Sequence, residues 1–80
     1  MLKEKPDIQK LLFEICEDKR VFEEGIDLID SGLLDSLALI ELFGELEDRG
    51  IFLQSTRIDR KKLRTVRGIE SLVEEYLKEN

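Results

Sequence analysis

Eighty residues fit one domain, spanning 1–80, near the lower size at which a chain buries a self-sufficient core, and a large enclosed active site is not expected. With 41% hydrophobic and 40% charged residues, one Pro, no Trp and a net charge of −6, the chain has the profile of a small helical protein with an acidic surface. That acidity disfavours nucleic acid as the main partner and favours basic protein surfaces, while the absence of His removes the commonest general base, nucleophile partner and zinc ligand, so catalysis by this chain alone is not expected.

The stretch from Met1 to Pro6 carries charges where a signal peptide has an apolar run, and no segment approaches the roughly 18 apolar residues that span a membrane, so a cytoplasmic protein without membrane insertion is expected. Pro6-Asp7 reads as a helix start. Ile8, Leu11, Leu12 and Ile15 follow on one face of a first helix ending near Asp18. Cys16, the lone cysteine, sits at the edge of that face and reads as a small buried hydrophobe; it can form neither an internal disulfide nor a cysteine cluster for a metal.

A long connection runs from about Lys19 to Asp35. It holds Phe22, Ile26, Leu28, Leu33 and Leu34 among acids, and so many apolar anchors predict a loop packed over the helices. Within it, Asp27 to Gly32 places glycine as a calcium-binding EF-hand loop does, but Ile29 stands at a ligand position and Ala38 at the bidentate glutamate, so no calcium site is expected.

Asp35 is a good N-cap for a second helix from about Ser36 to Arg49, with Gly50 ending it. At about 100° per position, Leu39, Ile40, Leu42, Phe43 and Leu46 share a broad apolar arc. Glu41, Glu45 and Asp48 form an acidic stripe with Leu37 beside it. After Ile51-Phe52-Leu53, a short helix is expected from about Asp59 to Leu63, inside a basic run from Arg57 to Arg67 that suits pairing with loop acids or contact with a partner. Thr65 caps a last helix from about Val66 to Lys78, with Val66, Ile69, Leu72, Val73, Tyr76 and Leu77 on one face. Three long helices and one short third helix make an all-α, four-helix bundle.

By spacing alone, Asp35-Ser36 is open to two readings: a helix cap, or a hydroxyl presented for modification at the first turn, where free N–H groups and the helix dipole favour an anion. The wider pattern carries more. Gly32, Asp35-Ser36-Leu37, Ile40-Glu41-Leu42 and Leu46-Glu47 resemble the signature around the modified serine of acyl and peptidyl carrier proteins, and the order of helices resembles that family over nearly all of the chain.

The resemblance implies a non-catalytic carrier whose Ser36 receives 4′-phosphopantetheine from coenzyme A through a phosphopantetheinyl transferase that holds its own Mg²⁺. The arm's thiol then bears a thioester, and Asp35, Leu37, Glu41 and Glu47 match partner-facing positions; Leu37 beside Glu41, Glu45 and Asp48 suits a basic groove. Further partners implied are an AMP-forming acyl or D-alanine ligase and an acyltransferase or synthase, around a monomer. Leu33-Leu34 before Asp35, and Ile58-Asp59-Arg60 with Thr65, look like the D-alanyl carrier branch, which serves teichoic acid esterification. Leu37-Ala38 resembles the fatty-acid carriers instead, and Lys61-Lys62 fits neither pattern. The alternatives are a fatty-acid or polyketide-type acyl carrier and a helical interaction module with no prosthetic group.

Overall fold

The structure is a computed structural model that describes residues 6–53 and 58–79. The described residues form three α-helices, α1 (Ile8–Cys16), α2 (Ser36–Asp48) and α3 (Val66–Glu79), and two short 3₁₀ turns, Lys19–Phe22 and Arg60–Arg64, with no strand among them. The expected short third helix is thus a five-residue 3₁₀ turn. Asp59 Oδ1 accepts from the Lys61 N–H at 3.0 Å and the Asp59 carbonyl from the Lys62 N–H at 2.9 Å. Thr65 is already extended at the other end, where it caps α3, so the segment stays a single short 3₁₀ piece.

The helix ends follow their sequence signals. Asp7 caps α1, its carboxylate accepting from the Lys10 N–H at 3.1 Å. The helix closes at Cys16, before the expected Asp18, because Glu17 turns left-handed with φ 52° and Asp18 is used to cap the first 3₁₀ turn. At the end of α2, Gly50 takes φ 80°, and two N–H groups turn back, Gly50 to the Glu47 carbonyl and Ile51 to the Leu46 carbonyl, both at 2.9 Å. This left-handed closure places Ile51 against Leu46, both fully buried.

Ile8, Leu11 and Leu12 of α1, Ala38, Leu42 and Leu46 of α2, and Ile69, Leu72 and Val73 of α3 meet in one core with Val21, Leu28, Leu33 and Leu34 from the connection. Each large side chain in it contributes roughly 1.5–3 kcal/mol of burial. The connection is packed over the helices as expected, although Phe22 stays half exposed, its ring beside that of Phe13 with centroids 5.3 Å apart.

On α2 the expected apolar arc is displaced. Ile40 is 67% exposed, while Ala38 is 6% exposed and points inward. The inner face follows Ala38, Leu42 and Leu46, spaced four residues apart; Ile40 lies about 200° from Ala38 and so faces outward, with Leu39 and Phe43 half buried between.

Backbone and charge fasten the connection to the second 3₁₀ turn. The Leu28 N–H donates to the Arg64 carbonyl at 2.6 Å, and the Arg64 guanidinium reaches Asp27 and Asp30, each at 3.5 Å. The Asp27 carboxyl is held below the usual carboxylate range, first by the Asp30 N–H and further by the Ile29 N–H and Arg64.

Candidate functional site

The start of α2 separates two adjacent polar residues by task. Asp35 Oδ1 accepts from the Ala38 N–H at 2.9 Å, and the Asp35 carbonyl accepts from the Leu39 N–H at 2.9 Å. The cap is therefore the carboxylate. Ser36, the first residue of the helix, is exposed, and its hydroxyl makes no hydrogen bond among the described residues.

Ser36 lines an open groove of about 990 Å³ that runs from α2 to the second 3₁₀ turn. Leu39, Ile40 and Phe43 supply its apolar side from α2 and Leu63 from the facing turn. Arg60, Lys61 and Arg64 stand along the groove, and no carboxylate is among its lining residues. The other cations of the basic run are placed differently: Lys62 pairs with Glu75 of α3 at 2.8 Å, Arg67 lies outside the groove, and Arg57 lies outside the described residues.

The acidic residues singled out in the sequence gather on another side. Glu41, Glu45, Glu47 and Asp48 line a second cleft, closed from α1 by Leu11, Glu14 and Ile15. Arg49 offsets part of this charge, since its Nη1 meets Glu45 Oε2 at 3.0 Å. Leu37 projects at 66% exposure, and Asp35 and Glu41 are exposed. Glu14 was not anticipated here, because it joins the cleft through helix packing and carries no local signal.

Cys16 is half buried, its thiol donating to the Leu33 carbonyl at 3.1 Å. Burial pushes the thiol's pKa up, and the charges of Asp35, Asp18 and Glu41 push it the same way. It is a neutral, tethered group that pins the end of α1 to the residues just before Asp35. No group of three or more potential metal ligands is assembled among the described residues, and no helix there is long and apolar enough to cross a membrane.

Two curated proteins resemble the chain over most of its length. The D-alanyl carrier protein of Bacillus velezensis is 34% identical over 67 residues, covering 81% of this chain and 86% of its own. The D-alanyl carrier protein of Abiotrophia defectiva is 35% identical over 68 residues, covering 82% and 86%. The chain belongs to this carrier-protein family. No family model matches it. The all-helical structure of the described residues is compatible with a small carrier bundle, and the relatives' name makes them carriers.

Ser36 opens α2 and lines the groove with its hydroxyl exposed. The groove beside it has the chemistry of a phosphopantetheine arm, with cations for the phosphodiester and apolar side chains for the pantetheine, so the residues present fit that group.

Proposed function

We propose that the chain is a single-domain, monomeric, cytoplasmic carrier bearing 4′-phosphopantetheine on Ser36. The arm holds an activated acyl or aminoacyl group as a thioester and moves it between enzymes. The second 3₁₀ turn stands in the place of the short third helix of the four-helix carrier bundle. The carrying observation is the division of labour at α2: Asp35 supplies the cap, so the exposed Ser36 hydroxyl is free to react.

In loading, Ser36 Oγ takes over the pantetheine-bearing phosphate of coenzyme A, the adenosine bisphosphate leaves, and the serine proton passes to the transferase. The protein then contributes position. A tether on a small rigid body raises the local concentration of the cargo at each docked enzyme, and the partners supply the acid, base and oxyanion groups.

D-alanine is the cargo we favour, in keeping with the relatives' name and with the D-alanyl-like residues around Asp35 and Asp59. It would come from an AMP-forming ligase and pass to an acyltransferase. The open groove beside Ser36, lined by Leu39, Ile40, Phe43 and Leu63, favours a second reading, a fatty-acid or polyketide-type acyl carrier.

Incubation with coenzyme A and a broad-specificity transferase, followed by intact mass, tests the reading. Wild type should gain one arm and Ser36→Ala none. An unchanged wild-type mass would leave a helical interaction module without a prosthetic group. Offering the loaded protein D-alanine with its ligase, and fatty acid with an acyl ligase, then separates the two cargoes by the mass gained.

A further inference from the structure

The chain carries 19 acidic residues against 13 basic ones, so a cation on its surface has carboxylates in excess to pair with. Arg64 has Asp27 and Asp30, and Lys62 has Glu75. Arg60 and Lys61 reach no carboxylate among the described residues, yet both line the groove that Ser36 lines, and no acid shares that lining. Two adjacent cations without a carboxylate partner among the described residues, on one groove with an exposed hydroxyl and a strip of apolar side chains, make a receptor for an amphiphile with an anionic end near Ser36. Asp59 holds them there, since its carboxylate caps the turn that carries them.

We propose that Arg60 and Lys61 bind the phosphodiester of the arm carried on Ser36 and park the arm along this groove, its apolar portion over Ile40, Phe43 and Leu63. This rests on the carrier reading and adds to it a resting position with its own residues. Guanidinium and ammonium groups are the natural partners of a phosphodiester, and the guanidinium can meet two of its oxygens at once. Both side chains are solvated at the groove edge, so the contact is weak and screened by salt, with a Debye length of about 8 Å at physiological ionic strength. Weakness suits the purpose: the arm rests at the carrier and leaves when an enzyme offers a better site.

The test compares wild type, the double variant Arg60→Gln/Lys61→Gln, and the control Arg67→Gln, which removes an exposed cation outside the groove. Each is loaded, checked by intact mass, and compared with its unloaded form by amide NMR, with phosphorus NMR of the phosphodiester. In wild type, loading should shift the amides of Arg60, Lys61, Ile40, Phe43 and Leu63 as well as those beside Ser36. The groove shifts should fall roughly 2–5-fold in the double variant and at high salt, and persist in Arg67→Gln. They should not depend on protein concentration.

Shifts confined to the turn at Asp35 to Ala38, or equal in the double variant, overturn the proposal while leaving the carrier intact. Groove shifts that grow with concentration overturn it in favour of an arm from another molecule. If wild type takes up no arm at all, the carrier reading fails, and this inference with it.

Discussion

Ser36 and Cys16 are two potential nucleophiles near the same corner, and their surroundings send them in opposite directions. The serine is released because Asp35 does the capping. The cysteine is restrained: its thiol donates to the Leu33 carbonyl, and burial together with Asp35, Asp18 and Glu41 disfavours the thiolate. Since the thiolate is the reactive form, Cys16 should be a poor nucleophile at neutral pH. In a carrier this keeps the protein's own thiol from competing for the thioester. On the loaded protein at pH about 8, iodoacetamide should therefore modify the arm thiol first and Cys16 several-fold more slowly than free cysteine, whose pKa is about 8.5. Alkylation of Cys16 at the rate of free cysteine, followed by peptide mass mapping, would show that the local charges and burial do not protect it.

At the scale of elements, the corner between the second 3₁₀ turn and α3 depends on a missing side chain. A Cβ built on Gly68 would collide with the Lys62 carbonyl group, and relief would have to come from backbone. Gly68→Ala should lower stability by about 1–3 kcal/mol through overpacking. Gly44→Ala makes the contrast, since Gly44 lies inside α2 with nothing within 4 Å of its would-be Cβ. That change should stabilise by about 0.5–1 kcal/mol through helix propensity. Urea denaturation of both variants reads the difference, and a Gly68→Ala midpoint equal to wild type would mean that the two elements are not in such close approach.

The same scale shows what the residues could and could not announce. Caps are legible because they are local: Asp7, Asp35 and Thr65 each accept from an N–H three residues on, whereas Asp59, expected inside the short helix, caps it instead. The closure at Gly50 is legible too, and so is the apolar face of α3, where Ile69, Leu72 and Val73 are buried. The inward face of α2 is legible only in part: Leu42 and Leu46 are buried as the arc of large side chains predicts, with Leu39 and Phe43 half buried, whereas Ile40 faces outward and the small Ala38 turns inward. The first 3₁₀ turn is not among the expectations, and there the loop's anchoring differs from what was expected: Val21 is fully buried and Phe22 half exposed, while Leu28, Leu33 and Leu34 are buried as expected. For the site, Ser36 and the acidic stripe are patterns along one helix, but the meeting of Ser36 with Arg60 and Lys61 joins positions more than twenty residues apart, and only tertiary packing creates it.

Over the whole molecule the two signs of charge are kept apart around α2. The cleft toward α1 is lined by Glu14, Glu41, Glu45, Glu47 and Asp48, and the groove toward the second 3₁₀ turn by Arg60, Lys61 and Arg64. In the carrier proposed above, a partner reaching Ser36 would meet an oriented surface, and a basic enzyme would be steered to the acidic side, where Leu37 is exposed. Steering acts on association and is weakened by salt, which separates it from a loss of fold. Glu41→Lys/Glu47→Lys should slow transferase loading roughly tenfold or more in kcat/KM at low ionic strength, with the gap to wild type narrowing as salt is raised. Glu23→Lys/Glu24→Lys makes the same change in net charge on exposed residues of the connection that do not line the acidic cleft. If docking is read from the acidic face of α2, this second pair should load within a few-fold of wild type. Equal slowing by both pairs would mean that the enzyme senses net charge alone, and the face formed by α1 and α2 would lose its role as an address.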